Sequence, residues 1–515
     1  MKKILKTVLR GKYSALIFAL ISAVGILLNY SYRFGYVFVD SSVFKYFTFI
    51  LFILSIVCTA FLAVVSSLNL KGSKAAENKV LISFQYIAEI FLAVMVIYDL
   101  VNVAVGGRES FCAALGLFKD AFPIWLGTVC IVSALFVIPN LSKKPRTALT
   151  AVTALIAAFA VYASLFPISP FAFTALPGVF DNGSGYSVVF ATNDSATAYI
   201  EYDYNGEHIK KYDENNGRKF GDSKIHSISV PYEHLSQNSY KVGATRVIDE
   251  LSYGGRTGKT IESDTIAFND KFDDNVNVLT VSDWHTHNKK AEKAVSYLGD
   301  YNAVILLGDC APGVMFEDDI SNFLLAFASD LTHGTMPVIF VRGNHETRGR
   351  MAAKLPELLK FDKLYYETKL GDYNLIVLDS GEDKKDSHPE YGGMDAYEQN
   401  RTEMAEWLNT LENNDNNKTV ALSHDNGICI EDNLSAEAHN KLDELGVSFL
   451  ASGHAHKTEF KNTAPYPVLI DGGIDANGKG TYVASMLKIT PDGIGVTSID
   501  SNGVTTVDET VAWRQ

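Results

Sequence analysis

Five short clusters of polar residues carry the chemistry this chain could perform. They read Asp283-Trp284-His285, Gly308-Asp309, Gly343-Asn344-His345-Glu346, Ser423-His424 and Gly453-His454-Ala455-His456. Oxygen and imidazole donors in this mixture suit Zn, Mn or Fe. Asp283, Asp309 and Asn344 with His285, His424, His454 and His456 are too many donors for one ion, whereas two ions sharing one carboxylate fit the count. The five cysteines form no C-x-x-C and no regular spacing, so neither a thiolate metal site nor a disulfide framework is indicated.

Each cluster follows an apolar run of β type. The runs are Val276–Ser282, Ala303–Leu307, Val338–Val341, Thr419–Ser423 and Ser448–Ala451, with a sixth at Asn374–Leu378. Amphipathic helical patterns fall between them, near 289–299, 316–332, 349–360, 396–412 and 435–444. Strands alternating with helices predict an α/β domain with a mostly buried sheet. In such sheets ligands bind beyond the carboxyl ends of the strands, where all five clusters lie.

Taken in order, the clusters spell D-x-H, G-D, G-N-H-E, H and G-H-x-H. Over about residues 275–490 the chain thus resembles the calcineurin-like metallophosphoesterases. The resemblance implies a four-layer α/β sandwich that hydrolyses phosphoesters with two divalent ions, Mn, Fe or Zn. It assigns one ion to Asp283, His285 and His456, the other to Asn344, His424 and His454, and Asp309 to both. The two ions would clamp the phosphoryl oxygens and hold between them the hydroxide that attacks phosphorus. His345 would bind no metal; it would face the scissile ester and protonate the leaving oxygen. Glu346 is expected to support or cap, and His287 fits no position of the family. A second resemblance, to the purple acid phosphatases, is limited. Where they carry an iron-ligating tyrosine after G-D, this chain reads Asp309-Cys310-Ala311-Pro312-Gly313, which implies a divalent pair.

At 515 residues the chain is long enough for two to four domains. Residues 178–272 alternate as short strands at Tyr186–Thr192, Ala198–Tyr204, Lys224–Pro231, Ser239–Val247 and Thr265–Phe268, separated by turn-rich stretches. That rhythm predicts a β-sandwich. Leu235 followed by Tyr240 resembles the tyrosine corner of fibronectin type III domains, and the segment looks like the sandwich that precedes the catalytic domain in purple acid phosphatases. The catalytic domain is expected over 273–515. Its segment 381–396, rich in charged residues and glycine, reads as a loop at the edge of the site or an ordinary solvated insertion.

The first 170 residues differ in kind, with 15 Lys and Arg against 6 Asp and Glu, while the remainder is strongly acidic. Acidity argues against a nucleic-acid-binding surface. Five apolar stretches, near 13–30, 44–68, 80–104, 121–141 and 147–169, predict a five-helix transmembrane bundle over 1–170. Basic residues in alternate connections would put the N-terminus in the cytoplasm and the catalytic domain outside a cell membrane, with a lipid bilayer as partner. Glu89, one turn past Gln85, would lie within the third span and Asp99 nearer its outer end. The function expected from the sequence is a membrane-anchored phosphatase or phosphodiesterase acting on a phosphoester substrate. The alternatives are a membrane sensor with a phosphoesterase-fold recognition head, and a hydrolase serving a lipid-binding or transport bundle. The sequence leaves the oligomeric state and natural substrate open.

Overall fold

The structure, a computed structural model, describes residues 73–250, 255–413, 418–474 and 478–514 except for 106–145 and 156–169, with parts of 54–69 before them and single gaps near 149. Two compact units divide the chain, Met1–Ser169 and Pro170–Gln515.

In the first unit a helix runs over Lys79–Val105, and Ala88 and Leu92 on it cluster with Leu62 and Val65. Gln85 donates to Glu89 at 2.7 Å on the same buried side. Burial raises the Glu89 carboxyl pKa, and the Gln85 bond opposes it. Among the described residues no helix is long and apolar enough to cross a membrane. This finding overturns the five-helix transmembrane bundle. The cell-membrane location, the extracellular placement of the catalytic domain and the lipid bilayer as partner rested on counting those spans and fall with them. Spans 13–30 and 121–141 lie outside the described residues, and 44–68 and 147–169 lie partly outside. The stretch 80–104 is the helix Lys79–Val105 itself. A span needs about 20 consecutive, predominantly apolar residues, and Gln85, Glu89 and Asp99 interrupt this run.

The second unit is built on three sheets of functional consequence. Strand β1 (Phe173–Asp181) pairs antiparallel with Tyr186–Thr192, which pairs with Ile225–Val230. Facing them is a five-stranded sheet that contains Ala196–Tyr204 and Ser239–Glu250. Val188, Phe190, Ile228 and Val230 from the first sheet meet Ala198, Ile200, Val242 and Ala244 from the second in one apolar core. Alternating strand residues point to this core, as expected of a sandwich. The predicted β-sandwich is therefore present. Tyr240 is buried, as is Leu235, but its hydroxyl donates to Gly334 O at 2.9 Å. It thus bonds across to the α/β half rather than to the nearby upstream backbone.

The α/β half supplies β2 (Val276–Val281), β3 (Ala303–Leu306), β4 (Pro337–Phe340), β5 (Thr419–Leu422) and β6 (Val447–Ser452). β2, β3 and β4 are parallel neighbours, and β4 pairs in parallel with β1, with Val179 opposite Pro337. The sandwich strands and the α/β strands therefore share one ten-stranded sheet. β5 and β6 belong to a separate six-stranded sheet. Val420 and Leu422 of β5 and Phe449 and Ala451 of β6 join the core that contains Val304, Ile305 and Ile339. Their neighbours Ala421, Val447 and Leu450 face Met404, Leu408 and Leu442 of the helices Tyr397–Thr410 and Asp432–Glu444. Parallel strands covered on both faces read as continuous apolar runs, which is why these were visible in the sequence.

Asp181 at the end of β1 fastens the shared sheet to its surroundings. It is 3% exposed and accepts from Tyr232 Oη at 2.6 Å, Thr368 Oγ1 at 2.6 Å and Gly183 N at 2.9 Å. Replacing Asp181 by Ala leaves these three donors without their acceptor and should destabilise the full chain by about 1–3 kcal/mol. Thermal melts read this directly, and coincident melting of variant and wild type would refute it.

Candidate metal centre

The two sheets present the carboxyl ends of their strands to one another, and the five clusters meet there. From the ten-stranded sheet come Asp283 and His285 after β2, Asp309 after β3, and Asn344 and His345 after β4. From the six-stranded sheet come His424 after β5 and His454 and His456 after β6. Single donor atoms of Asp283, His285, Asp309 and His456 lie within 4.8 Å of one another, as do those of Asp309, His424 and His454. The two groups share Asp309. Asn344 Oδ1 lies 3.1 Å from both His424 Nε2 and His454 Nδ1. All seven residues singled out as metal-binding candidates are thus brought together, with His345 beside them.

The loops holding these side chains are strained and laced by backbone bonds. Asp283, His285, Asp309, His454 and His456 all have positive φ, between 37° and 69°. Residues other than glycine seldom adopt this region, and such outliers gather at functional sites. The compensation is visible locally. Asp283 N donates to Gly308 O at 3.0 Å, His285 N to Asp309 O at 3.1 Å and Gly453 N to His424 O at 2.8 Å. Trp284 points away into the core, its indole donating to Phe323 O at 2.7 Å, so Asp283 and His285 both turn to the site. Glu346, wholly buried, accepts from Asp309 N at 2.8 Å, Cys310 N at 2.6 Å and Gly343 N at 2.8 Å. It clamps the loops after β3 and β4 together, the supporting role expected of it. A Cβ on Gly343 would run into Asp309, so only glycine permits this approach.

Whether these donors suit metal ions is tested by their hydrogen bonding. Asp283 Oδ1 is buried and has no hydrogen-bond partner, while His456 Nε2 stands 3.6 Å away. Asp309 Oδ2 faces His424 Nε2 at 3.3 Å and His285 Nε2 at 3.7 Å. His424 Nδ1 is bonded to Leu307 O at 2.5 Å and His456 Nδ1 to Ile474 O at 2.7 Å. Those bonds fix the tautomers and turn both Nε2 lone pairs inward, the usual support of a metal-binding imidazole. The Asn344 oxygen likewise faces acceptor atoms. Rotating the amide would let its nitrogen donate to them and its oxygen accept from Arg348 Nη2 at 2.9 Å, so a cation and a proton donor are the two ways to satisfy this corner. The donor set fits two divalent ions.

Charge in the site is correspondingly uneven. Burial works against ionisation of Asp309, but His424 and His345 outweigh it and hold the carboxyl well below its usual range. Burial also disfavours a charged His424, yet Asp309 and Asp283 lift it to about 10. For Asp283 burial prevails and raises the pKa, with His424 opposing.

Three further positions bear on the site. His287 Nδ1 donates to His285 O at 2.7 Å and so braces the backbone of a candidate ligand. Arg348 and Glu382 were missed in the sequence. Arg348 follows three residues after His345 in the same loop, a proximity that could have drawn notice, whereas nothing local marks Glu382. Glu382 lies at the root of the segment 381–396 and is 1% exposed, so this part of the segment is no solvated insertion. Its carboxyl is held down to about 2; burial alone would raise it, and the bonds from Arg348 outweigh burial.

With an ordinary carboxyl value of 4.5 in the unfolded chain, the Glu382 contribution to stability is fully present above that pH. It is lost as pH falls from there toward 2. The melting difference between wild type and Glu382→Gln should be clear at neutral pH and shrink in strong acid; a constant difference would contradict the ion pair. Glu346→Gln, which costs at least one of the three backbone acceptances, should lower the number of metal ions retained after dialysis, measured by plasma mass spectrometry, with undiminished retention counting against the clamp.

Residues 276–458 match the family model described as calcineurin-like phosphoesterase. A search of curated proteins finds no match. Among solved structures the chain is similar to a purple acid phosphatase from yellow lupin (Lupinus luteus) seeds, at 12% identity and TM-score 0.42, covering 65% of this chain and 74% of that one. It is also similar to GAP50, the anchor in the inner membrane complex of Plasmodium, at 11% identity and TM-score 0.34, covering 47% and 90%. A third is the phosphopantetheinyl hydrolase of Mycobacterium tuberculosis, at 15% identity and TM-score 0.27, covering 39% and 90%. Residues 276–458 match the model of the calcineurin-like phosphoesterases and the Asp and His donors converge as such a centre requires, so the protein is a metallophosphoesterase hydrolase.

Proposed function

We propose that the protein is a dinuclear phosphomonoesterase or phosphodiesterase whose catalytic residues all belong to 273–515, with 178–272 as the supporting sandwich. The observation that carries this reading is the pair of donor groups joined by one carboxylate, Asp309. In our assignment Asp283, His285 and His456 would hold one ion and Asn344, His424 and His454 the other, with Asp309 available to both sets. When bound, the ions would supply Lewis acidity and make water nucleophilic at neutral pH.

The protein's own residues do the rest. Hydrolysis adds the oxygen of water to phosphorus and breaks the bond from phosphorus to the ester oxygen, which must then take a proton. We assign that proton transfer to His345. Its Nδ1 lies 3.0 Å from Pro312 O, its backbone N donates to Asp309 Oδ1 at 2.9 Å, and its Nε2 is 3.9 Å from Asp309 Oδ2. These contacts support a ring held at two points with Nε2 toward the centre. The side chain is 19% exposed, as a group meeting substrate must be. Metal identity among Mn, Fe and Zn belongs to this proposal as well, favoured by the mixed oxygen and nitrogen donors.

The full-length protein, loaded in turn with Mn, Zn or Fe(II), should hydrolyse p-nitrophenyl phosphate or bis-p-nitrophenyl phosphate. Asp309→Asn should lose bound metal along with turnover. His345→Ala should keep its metal while kcat falls by about 100- to 10,000-fold. Turnover that survives in Asp309→Asn, or a wild type that binds no metal, would sink the assignment.

A further inference from the structure

Among the described residues Arg348 is the one strong cation hydrogen-bonded to His345, and the way it is held sets its role apart from that of an ordinary ion pair. Its Nε donates to Glu382 Oε1 at 2.7 Å and its Nη2 to Glu382 Oε2 at 2.9 Å, a two-pronged grip, with Asp383 Oδ1 3.3 Å from Nη2. Glu382 is itself fixed by Thr347 Oγ1 at 2.7 Å and Tyr391 Oη at 2.9 Å. The guanidinium therefore cannot swing freely. Its Nη1 edge stands 3.2 Å from His345 Nε2. The side chain remains 18% exposed.

A buried ion pair contributes little net stability, because desolvation offsets its attraction. What the grip does achieve is direction. One face of the guanidinium is spent on Glu382, and the other is turned toward His345, where the leaving oxygen of a substrate would lie. A fixed, planar, permanently charged group with several donors is the side chain best suited to phosphoryl oxygens.

We propose that Arg348 binds a non-bridging phosphoryl oxygen of the substrate and thereby makes the enzyme selective for phosphomonoesters. This rests on the hydrolase reading above. A phosphomonoester at neutral pH is mostly a dianion with three non-bridging oxygens, whereas a diester is a monoanion with two. The third oxygen and second charge of the monoester are what Arg348 rewards. In a diester the same place is taken by an uncharged organic substituent.

The test compares wild type, Arg348→Gln and Arg348→Lys as full-length, Mn-loaded proteins. Three quantities are measured: kcat/KM on p-nitrophenyl phosphate and on its bis ester, the affinity for inorganic phosphate by calorimetry, and metal content. A charge-assisted hydrogen bond of ordinary strength predicts that Arg348→Gln loses about 10- to 100-fold on the monoester and weakens phosphate by a similar factor. Loss on the diester should stay within about threefold, metal content should be unchanged, and Arg348→Lys should recover part of the phosphate affinity by charge alone. Equal losses on both esters with phosphate affinity unchanged would overturn the proposal, leaving Arg348 as a residue that only positions His345. A wild type that binds metal yet turns over neither ester would defeat the hydrolase reading, while the phosphate affinities would still decide for or against Arg348.

Discussion

Asp309 is gripped through three of its four polar atoms, and the geometry of both halves of the centre follows from that. Its backbone N donates to Glu346, its carbonyl accepts from His285 N, and its Oδ1 accepts from His345 N. Its Oδ2 is left facing the imidazoles of His424, His285 and His345 at 3.3–3.9 Å. The left-handed backbone at Asp309, with φ of 60°, is tolerated because these bonds over-determine it. Shifting this one carboxylate would separate donors that arrive on two different sheets. The strain at Asp283, His454 and His456 is of the same kind, stored in loops whose strands are the most deeply buried parts of the fold.

The site was legible because its residues are local words. D-x-H and G-H-x-H place two donors on one loop, and the strands before them are short, fully buried apolar runs that leave little ambiguity. Boundaries differ from expectation by about one residue at β2, β3, β4 and β5. What the sequence hid is tertiary. Arg348 and Glu382 are 34 residues apart and meet only because the strand Tyr373–Val377 returns the chain to the same edge. No period or motif announces such a pair. The expected helix 316–332 is likewise one continuous stretch broken by a π segment at Ile320–Leu325, a local departure in hydrogen bonding that apolar periodicity does not register.

Elsewhere the pattern misled. Apolar run length suggested membrane spans, yet the described helix Lys79–Val105 carries a buried Gln85–Glu89 pair and no described helix meets the length and apolarity a span requires. In the sandwich, the strand rhythm from Tyr186 onward was read well, but β1 was not, since Leu176-Pro177-Gly178 within it reads as a turn. That omission matters, because β1 is the strand through which the sandwich joins the catalytic sheet.

The parallel pairing of β1 with β4 has a consequence for how the chain can be cut or assembled. β1 precedes β4 by the whole sandwich and the first two catalytic strands, so the link between them closes late in synthesis and spans most of the chain between. Until then, or in any fragment begun after the sandwich, β4 would present a bare strand edge directly beside the loop that bears Asn344 and His345. Unpaired edges recruit foreign strands. Pairing with the sandwich strand covers that edge, so in the whole chain it is closed to a foreign strand.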